Sequence, residues 1–380
     1  MNFSVSAPGK VILHGEHSVV FGKTAIAVSL GLRTTAYLKE TSNTFININL
    51  PSVQVNESVP LHHINTEILS YKTYIEHPQS IPHEEHLIKT EIFVKNTFPN
   101  FDNFSGKQKN ALIAIFYVFF GVFGGKEIRG FEISFVSDLT IGAGTGSSAS
   151  FAVCLAAALL RFAKGSNESI INFEEKQLIS QWAYNCERIM HGTPSGIDNT
   201  TATFGSLVVF CRGQKPNLLD LKLNLRILLV DTQVSRQTQV LAQKVRGLMG
   251  RNPEAVDCVM TAMDHIAKSA LKILQNQSSN CEGDIDAQYQ NLAELWNMNH
   301  CLLASIGVSH PALESVRTSA DKFGLACKLT GAGGGGYAIV LVPHTANQKV
   351  IDDLTKELAD KGFKVIDTAL GGPGVQYQYE

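Results

Sequence analysis

Alternating hydrophobic and polar positions at the start of the chain predict a β-sheet. Four strands are expected there, at residues 3–6, 11–14, 32–40 and 45–50. Ser42 and Asn43 stand between the last two strands, and such small polar residues favour a tight turn. The pattern therefore predicts a hairpin formed by these two strands.

Longer apolar patterns predict helices further along the chain. Weak periodicity indicates helices from about Ile64 and from about Glu84. Residues 111–123 are almost continuously apolar, but this stretch is shorter than the ~20 residues that span a bilayer, so we expect a buried helix. Residues 1–10 lack the basic start and apolar run of a signal peptide, so secretion is not expected.

A strand, a glycine-rich loop and an alanine-rich helix follow one another in the centre of the sequence. Residues 131–136 alternate strictly and predict the strand, residues 142–148 form the loop, and residues 147–163 form the helix. Residues 174–190 predict a further helix, which ends near Gly192 because glycine does not favour continuation.

The second half of the chain mixes short strands with long helical segments. Strands are expected at residues 205–211, 226–230, 326–329, 337–342 and 363–368. Helical patterns cover residues 237–323 and 346–361. The polar stretch around Gly213 and Pro216 is the best candidate for a domain boundary. We therefore predict an α+β fold with two domains, residues 1–224 and 225–380, in which the last residues are free to return to the first domain.

Composition and charge narrow the class of protein. Hydrophobic residues make up 44% and charged residues 17% of the 380 residues, as in a globular chain and unlike a disordered one. The 32 basic and 34 acidic side chains leave a net charge of −2, so no positive field favours nucleic acid or an anionic membrane. The cysteines form no CxxC pair, which disfavours a disulfide framework or a zinc ribbon and indicates a reducing compartment. They are Cys154, Cys186, Cys211, Cys258, Cys281, Cys301 and Cys327.

The glycine-rich loop is a candidate phosphate-binding site. Small residues from Gly142 to Ser148 let backbone N–H groups approach a ligand, and the positive end of the following helix favours an anion. Ser147 and Ser148 place hydroxyl groups at the helix start, where a serine can bind Mg²⁺ beside a phosphate. A flexible surface loop is the alternative interpretation.

Two other nucleotide-binding patterns fit less well. The GK[ST] triplet that starts at Gly22 has His17 where a Walker A loop needs its first glycine. A Rossmann fingerprint can be drawn through Gly144, Gly146 and Ala149, but the preceding strand ends several residues too early and no βαβ unit opens the chain. An NAD-dependent oxidoreductase therefore stays a weak alternative.

Two carboxylates after the glycine-rich loop are candidates for phosphoryl-transfer chemistry. Glu187 and His191 are four positions apart on a predicted helix and so share one face, whereas Asp198 is expected in the loop that follows. A phosphotransferase needs one carboxylate for the metal and another for the attacking hydroxyl. In the alternative interpretation both residues are structural: Glu187 forms a surface ion pair and Asp198 caps a turn. We expect His191 to be a buried, hydrogen-bonded side chain rather than a metal ligand.

Lys10 is expected at the start of the strand that covers residues 11–14. A lysine beside a catalytic aspartate keeps that carboxylate ionised and offsets charge on the moving phosphoryl group. An exposed lysine at a strand end is equally compatible with the sequence pattern, so both interpretations stay open.

Three motifs together resemble those of the GHMP kinases. They are residues 8–17 (PGKVILHGEH), residues 142–149 (GAGTGSSA) and residues 328–336 (KLTGAGGGG). Residues 15–20 (GEHSVV) and 191–199 (HGTPSGIDN) are similar, more narrowly, to the branch of this family that acts on mevalonate. The matches span residues 5 to about 375, essentially the whole chain.

The resemblance implies an ATP-dependent kinase that transfers the γ-phosphoryl group to the 5-hydroxyl of (R)-mevalonate. The product would be 5-phosphomevalonate, a precursor in isoprenoid and sterol biosynthesis. The implied fold has an N-terminal domain like domain 2 of ribosomal protein S5 and a C-terminal ferredoxin-like domain, with the active site between them. ATP, mevalonate and Mg²⁺ are the implied ligands, and because many family members are dimers we expect a homodimer. Nucleic-acid and membrane partners are not expected.

The same resemblance implies roles for individual residues. Asp198 matches the catalytic base and Lys10 the lysine beside it, and Ser148 and Glu187 match the Mg²⁺ ligands. The positions that match the ATP-binding set are Lys10, Ser137, Gly142, Ala143, Gly144, Thr145, Gly146, Ser147 and Ser148. The positions that match the mevalonate-binding set are Glu16, His17, Asp198, Thr238, Gly333 and Gly334.

Three residues depart from the animal pattern of this family. Thr145 replaces a leucine, which should be tolerated because the loop backbone does the binding. Phe151 replaces a tyrosine, which removes a hydroxyl contact, and Ser52 replaces an asparagine expected near the nucleotide base.

Two alternatives from other classes stay open beside the oxidoreductase. One is another GHMP kinase that acts on a different small molecule. The other is a non-catalytic sensor or scaffold that keeps the fold, against which the intact Lys10 and Asp198 argue. A cytoplasmic location is expected, with a peroxisomal share as the alternative.

Overall fold

The computed structural model describes residues 1–221, 225–275 and 282–379. Helices and strands are mixed along this part of the chain, as the predicted α+β class requires. The predicted boundary at residue 224 and part of the helical pattern over residues 237–323 lie outside the described residues. The boundary stays a prediction.

The first half is built on an extended sheet. Its strands are β1 (Asn2–His14), β2 (Ala25–Glu40), β3 (Phe45–Leu50), β4 (Val55–Pro60) and β5 (Phe131–Ser137). Strand β2 pairs with β1 on one edge and with β5 on the other, and the order continues through β3 to β4. The buried positions of β3 and β5 alternate with polar ones, as expected for a sheet with one face on the core.

The predicted hairpin at Ser42 and Asn43 is wrong. Strand β5 lies between β2 and β3 and pairs parallel with β3, so those two strands do not touch as a hairpin. The hairpin is formed instead by β3 and β4, through a turn at Pro51–Val53. Gln54 closes that turn with a φ of 57°, a left-handed conformation that the hydrophobic pattern does not reveal.

Six helices accompany this sheet. They are α1 (Leu61–Ile68), α2 (His83–Thr97), α3 (Gly106–Phe123), α4 (Ser147–Lys164), α5 (Phe173–His191) and α6 (Ile197–Phe204). Every residue from Ala111 to Phe123 is buried, which confirms the predicted core helix. Helix α4 has the length and hydropathy of a membrane-spanning helix, but 67% of it is buried in the protein, as in a core helix.

Within the described residues, the second half adds five helices and six strands that continue the sheet of the first half. The elements are β6 (Leu207–Phe210), β7 (Asn217–Leu219), β8 (Leu225–Asp231), α7 (Thr238–Arg251), α8 (Pro253–Gln275), α9 (Glu282–Ser305), α10 (Pro311–Lys322), β9 (Cys327–Leu329), β10 (Tyr337–Val342), α11 (Gln348–Asp360) and β11 (Lys364–Leu370). Strands β11, β8, β10 and β9 follow β2 in that order, and Leu370 pairs with Leu30 where the two halves meet.

The end of the chain returns to the first sheet. Strand β12 (Gln376–Tyr379) pairs antiparallel with β1. Before it, the guanidinium of Arg33 donates to the carbonyl oxygens of Pro373 at 3.0 Å and Gly374 at 2.6 Å. These bonds hold the crossing segment against β2.

The cysteines of the described part are free thiols, at positions 154, 186, 211, 258, 301 and 327. Cys281 lies outside the described residues. The absence of disulfides among the six described cysteines agrees with the interpretation of their spacing.

Candidate active site

Lys10 and Asp198 form an ion pair of 3.2 Å between Nζ and Oδ1. Lys10 lies within β1, next to a shift in register, and its backbone N–H donates to Thr145 of the glycine-rich loop at 2.8 Å. Strand β1 therefore fixes the lysine against the loop. Its side chain is mostly buried, whereas the Asp198 side chain is about one third exposed, at 34%.

Asp198 is carried by a helix, so the expectation that it lies in a loop is wrong. It occupies the first turn of α6, directly after Gly196 in a left-handed conformation with φ 82°. Helix α6 is only eight residues long and is bounded by Gly196 and Gly205, so it lacks the length from which periodicity is read. A carboxylate in a first helical turn is favoured by the helix dipole.

Ser148, Glu187 and His191 form a second cluster. The Oγ of Ser148 lies 3.1 Å from Nε2 of His191, and that nitrogen lies 3.9 Å from Oε2 of Glu187. The shared helix face of Glu187 and His191 is thus confirmed. The expectation that His191 is buried is wrong, because its side chain is 54% exposed at the last position of α5, where Gly192 ends the helix.

The two clusters meet electrostatically at Glu187. Burial raises the pKa of Glu187 to about 7, and the nearby Asp198 carboxylate raises it as well, while the Ser148 hydroxyl and Lys10 oppose both effects. Its Oε1 is buried without a hydrogen-bond partner. The structure therefore brings together Lys10, Ser148, Glu187 and Asp198, although they are distant in sequence.

The donor set suits Mg²⁺. An orphaned carboxylate oxygen on Glu187 and the hydroxyl of Ser148 are hard oxygen ligands, which Mg²⁺ prefers. Magnesium in phosphotransferases is often held by one or two side chains together with substrate phosphates. In the described part of the chain no three His, Cys, Asp or Glu side chains gather as a metal cluster.

The glycine-rich loop has the backbone geometry of an anion site. Gly142, Gly144 and Gly146 all have positive φ, at 82°, 82° and 76°, which favours glycine at each position. Gly146 begins α4 without any side-chain cap, so the first N–H groups of this long helix are available to a ligand. Ser137, in contrast, is bonded to Thr34 at 2.8 Å and to the N–H of Leu139 at 3.2 Å.

Arg236 is a candidate site residue that the sequence pattern does not single out. A Cβ on Gly144 would overlap its guanidinium, and a Cβ on Gly331 would lie 2.7 Å from its Nη1. Arg236 thus lies between the second and third glycine motifs. Burial lowers its pKa and Asp198 opposes the shift. It follows β8 in an irregular segment, where neither periodicity nor spacing marks a functional residue.

The first and third motifs are joined by hydrogen bonds. The Glu16 carboxylate forms a fully buried ion pair with Lys328, and it accepts from Nδ2 of Asn299 at 3.1 Å. Nε2 of His17 donates to the carbonyl oxygen of Ala332 at 2.8 Å. Glu16 and His17, both predicted to bind mevalonate, are therefore bonded to other protein groups. Their contact with a substrate stays a prediction.

The remaining predicted substrate positions lie at the start of α7 and in the third glycine motif. Thr238 is the exposed first residue of α7. The N–H of Gly334 donates to Val308 at 2.8 Å, and a Cβ there would lie 2.7 Å from Leu241. Close packing thus explains the glycine at position 334. Substrate contact by Thr238, Gly333 and Gly334 stays a prediction.

The three departures from the family pattern lie in different surroundings. The Phe151 ring packs on Phe135 with centroids 4.7 Å apart. Ser52 is exposed in the turn before β4, and the Thr145 side chain is buried with its hydroxyl unpartnered. None of the three forms part of the Lys10, Ser148, Glu187 and Asp198 set.

Comparisons with known proteins agree with this arrangement. The GHMP kinases N terminal domain matches residues 110–206 and the GHMP kinases C terminal domain matches residues 274–360. The chain is 35% identical to mevalonate kinase of Mus musculus, covering 98% of this chain and 94% of the relative. It is 33% identical to mevalonate kinase of Arabidopsis thaliana, with full coverage of both chains.

Solved structures share the fold. The Methanococcus jannaschii mevalonate kinase superposes with a TM-score of 0.70 at 24% identity, covering 97% of this chain and 98% of the other. The L. major mevalonate kinase, solved with R-mevalonate, gives 0.66 at 22% identity, covering 97% and 96%. With relatives above 30% identity along nearly its whole length, the chain belongs to the GHMP kinase family, on the branch formed by the mevalonate kinases.

Proposed function

We propose that the protein transfers the γ-phosphoryl group of ATP to the 5-hydroxyl of (R)-mevalonate and releases 5-phosphomevalonate and ADP. The observation that carries this proposal is the Lys10–Asp198 ion pair of 3.2 Å beside the uncapped start of α4. Such a pair places a base next to a phosphate-binding helix end. Its full-length relatives named mevalonate kinase support the choice of substrate.

Nucleotide binding rests on the glycine-rich loop. The N–H groups of residues 142–148 and the positive end of α4 would hold the phosphates. Ser148 and Glu187 would hold Mg²⁺, which when bound neutralises charge on the phosphate oxygens. Arg236, positioned beside Gly144, would supply a further positive charge to the anionic substrates.

Asp198 would act as the base. Its carboxylate accepts the proton of the 5-hydroxyl while that oxygen forms its bond to the γ-phosphorus. The bond between this phosphorus and the bridging oxygen of ADP breaks, and ADP leaves with the electron pair. Lys10 holds the Asp198 carboxylate in place and stabilises its ionised form through the 3.2 Å ion pair.

A coupled assay of ADP release tests this function. The purified protein with ATP and Mg²⁺ is offered mevalonate, galactose, homoserine and phosphomevalonate in parallel. We expect turnover with mevalonate alone. Turnover with another acceptor would assign the protein to a different activity of the family, and a thermal shift with NAD but not ATP would favour an oxidoreductase.

A cytoplasmic homodimer that serves isoprenoid and sterol synthesis is part of the same proposal. The six free thiols of the described residues suit a reducing compartment. Light scattering of the purified protein measures its oligomeric state, and a monomer at micromolar concentration would contradict the dimer. Fractionation of cells separates the cytoplasmic from the peroxisomal share.

A further inference from the structure

Asn199, the neighbour of Asp198, joins two helices of the site. Its side chain is buried, with 4% of the residue exposed. Its Nδ2 donates to both the backbone oxygen and the Oγ of Ser180, each at 3.0 Å. Ser180 lies on α5, seven positions before Glu187, which is about two helical turns along the same helix. The amide therefore links the helix of Asp198 to the helix of Glu187.

This link supports a short helix, α6. A helix of eight residues is too short to be stable alone, and α6 begins at Gly196 without a side-chain cap. The hydroxyls of Thr201 and Thr203 donate to Ile197 and Asn199 at 2.8 and 2.7 Å, so they stabilise α6 internally without holding it to α5. The Asn199 amide holds the first turn of α6, next to Asp198, against α5.

We propose that Asn199 is a positioning residue for phosphoryl transfer, an inference that rests on the proposed function. It contacts neither Lys10 nor Glu187 through its amide, and it acts by fixing Asp198 relative to both. A shift of about 1 Å in a reacting group can lower a rate by about 100-fold, so loss of this link should affect turnover more than ligand binding.

Asn185 provides a matched control. It lies on α5, its residue is 5% exposed, and its Nδ2 donates to the backbone oxygen of Pro78 at 3.0 Å. It resembles Asn199 in burial and in bonding, but its amide does not reach α6. Replacing either asparagine by leucine removes a buried amide of similar size, and similar losses of stability are expected.

The experiment compares Asn199→Leu with Asn185→Leu in the full-length protein. We expect similar falls in Tm, with kcat lowered about 10-fold or more in Asn199→Leu alone and with KM for ATP within about twofold of wild type in both. Wild-type kcat in Asn199→Leu, or an equal loss of kcat in Asn185→Leu, would overturn the proposal.

A milder variant covers a failure of Asn199→Leu to fold. Ser180→Ala removes one of the two acceptors and should lower kcat about threefold at unchanged KM for ATP. An unchanged kcat in this variant would overturn the positioning role. Inactivity of the wild-type protein with mevalonate contradicts the proposed function instead, and the variants are then compared with whichever acceptor of the assay is phosphorylated.

Discussion

The guanidinium of Arg236 occupies the space that a side chain on Gly144 would fill. Gly144 also has a φ of 82°, so two independent constraints require glycine there. Arg236 is half-buried and interacts electrostatically with Asp198, and within the described ranges no hydrogen bond or ion pair holds its guanidinium. A half-buried cation of this kind suits an anionic ligand.

Gly144→Ala should therefore displace Arg236 and lower kcat/KM about 10-fold or more. Gly165→Ala is the control, because Gly165 ends α4 with φ 65° and open space around it. That substitution should cost about 1 kcal/mol of stability and leave kcat/KM unchanged. Steady-state kinetics and thermal unfolding of both variants measure the difference. Equal kinetics in the two variants would show that the position of Arg236 is irrelevant to turnover.

Asp198→Asn should lower kcat about 100-fold or more with little change in ATP affinity, because it removes the proton acceptor and leaves the phosphate site intact. Asp138→Asn is the control. Asp138 accepts from the backbone N–H of Arg33 at 3.3 Å and takes no part in the Lys10–Asp198 ion pair. Near wild-type turnover in Asp198→Asn would refute its role as the base.

Local patterns in the sequence predict the helices and strands near the site, but they do not predict how these elements come together in space. Helices α4 and α5 are long and periodic, so their bounds differ from the sequence prediction by at most one residue at each end. Helix α6 has only eight residues between two glycines, which is too short for a periodic hydrophobic pattern to be recognised. Strand β5 separates β2 from β3 through long-range pairing that turn residues cannot encode.

Some site residues could likewise be predicted from the sequence, and others could not. Lys10 and Asp198 stand in segments that resemble those of a family, Glu187 lies four residues before one of these segments, and that resemblance implied their candidate roles. The burial that raises the pKa of Glu187 to about 7 depends on the packing of whole helices. Arg236 belongs to no motif, and its importance appears only when two glycine motifs enclose it in space.

Glu187→Gln should raise the Mg²⁺ concentration needed for half-maximal activity, because it removes the charge of a predicted metal ligand. Glu175→Gln is the matched control on the same helix, where Glu175 pairs with buried Arg161 at 3.0 Å. The control should lower Tm, because it leaves the buried Arg161 cation without its carboxylate partner, and it should leave the Mg²⁺ dependence unchanged. A titration of activity with Mg²⁺ distinguishes the two, and an unchanged curve for Glu187→Gln would count against metal binding there.

Stability should fall as the pH drops below about 6.5, the ordinary pKa of histidine. Burial lowers the pKa of His14, His86 and His300 in the folded protein. The unfolded chain therefore binds more protons than the folded one just below that pH, so their contribution is complete above it and is lost on acidification.

The variant His86→Gln tests this acid sensitivity at one position. Its amide can still donate to the carbonyl oxygen of Tyr117, which Nε2 of His86 contacts at 3.0 Å. Each such histidine changes the free energy of unfolding by at most about 1.4 kcal/mol per pH unit, and the variant should lack one of these contributions between pH 6.5 and 5. Urea unfolding across that range measures the slope. An identical slope in the variant would mean that His86 becomes protonated within the folded protein as readily as in the unfolded chain.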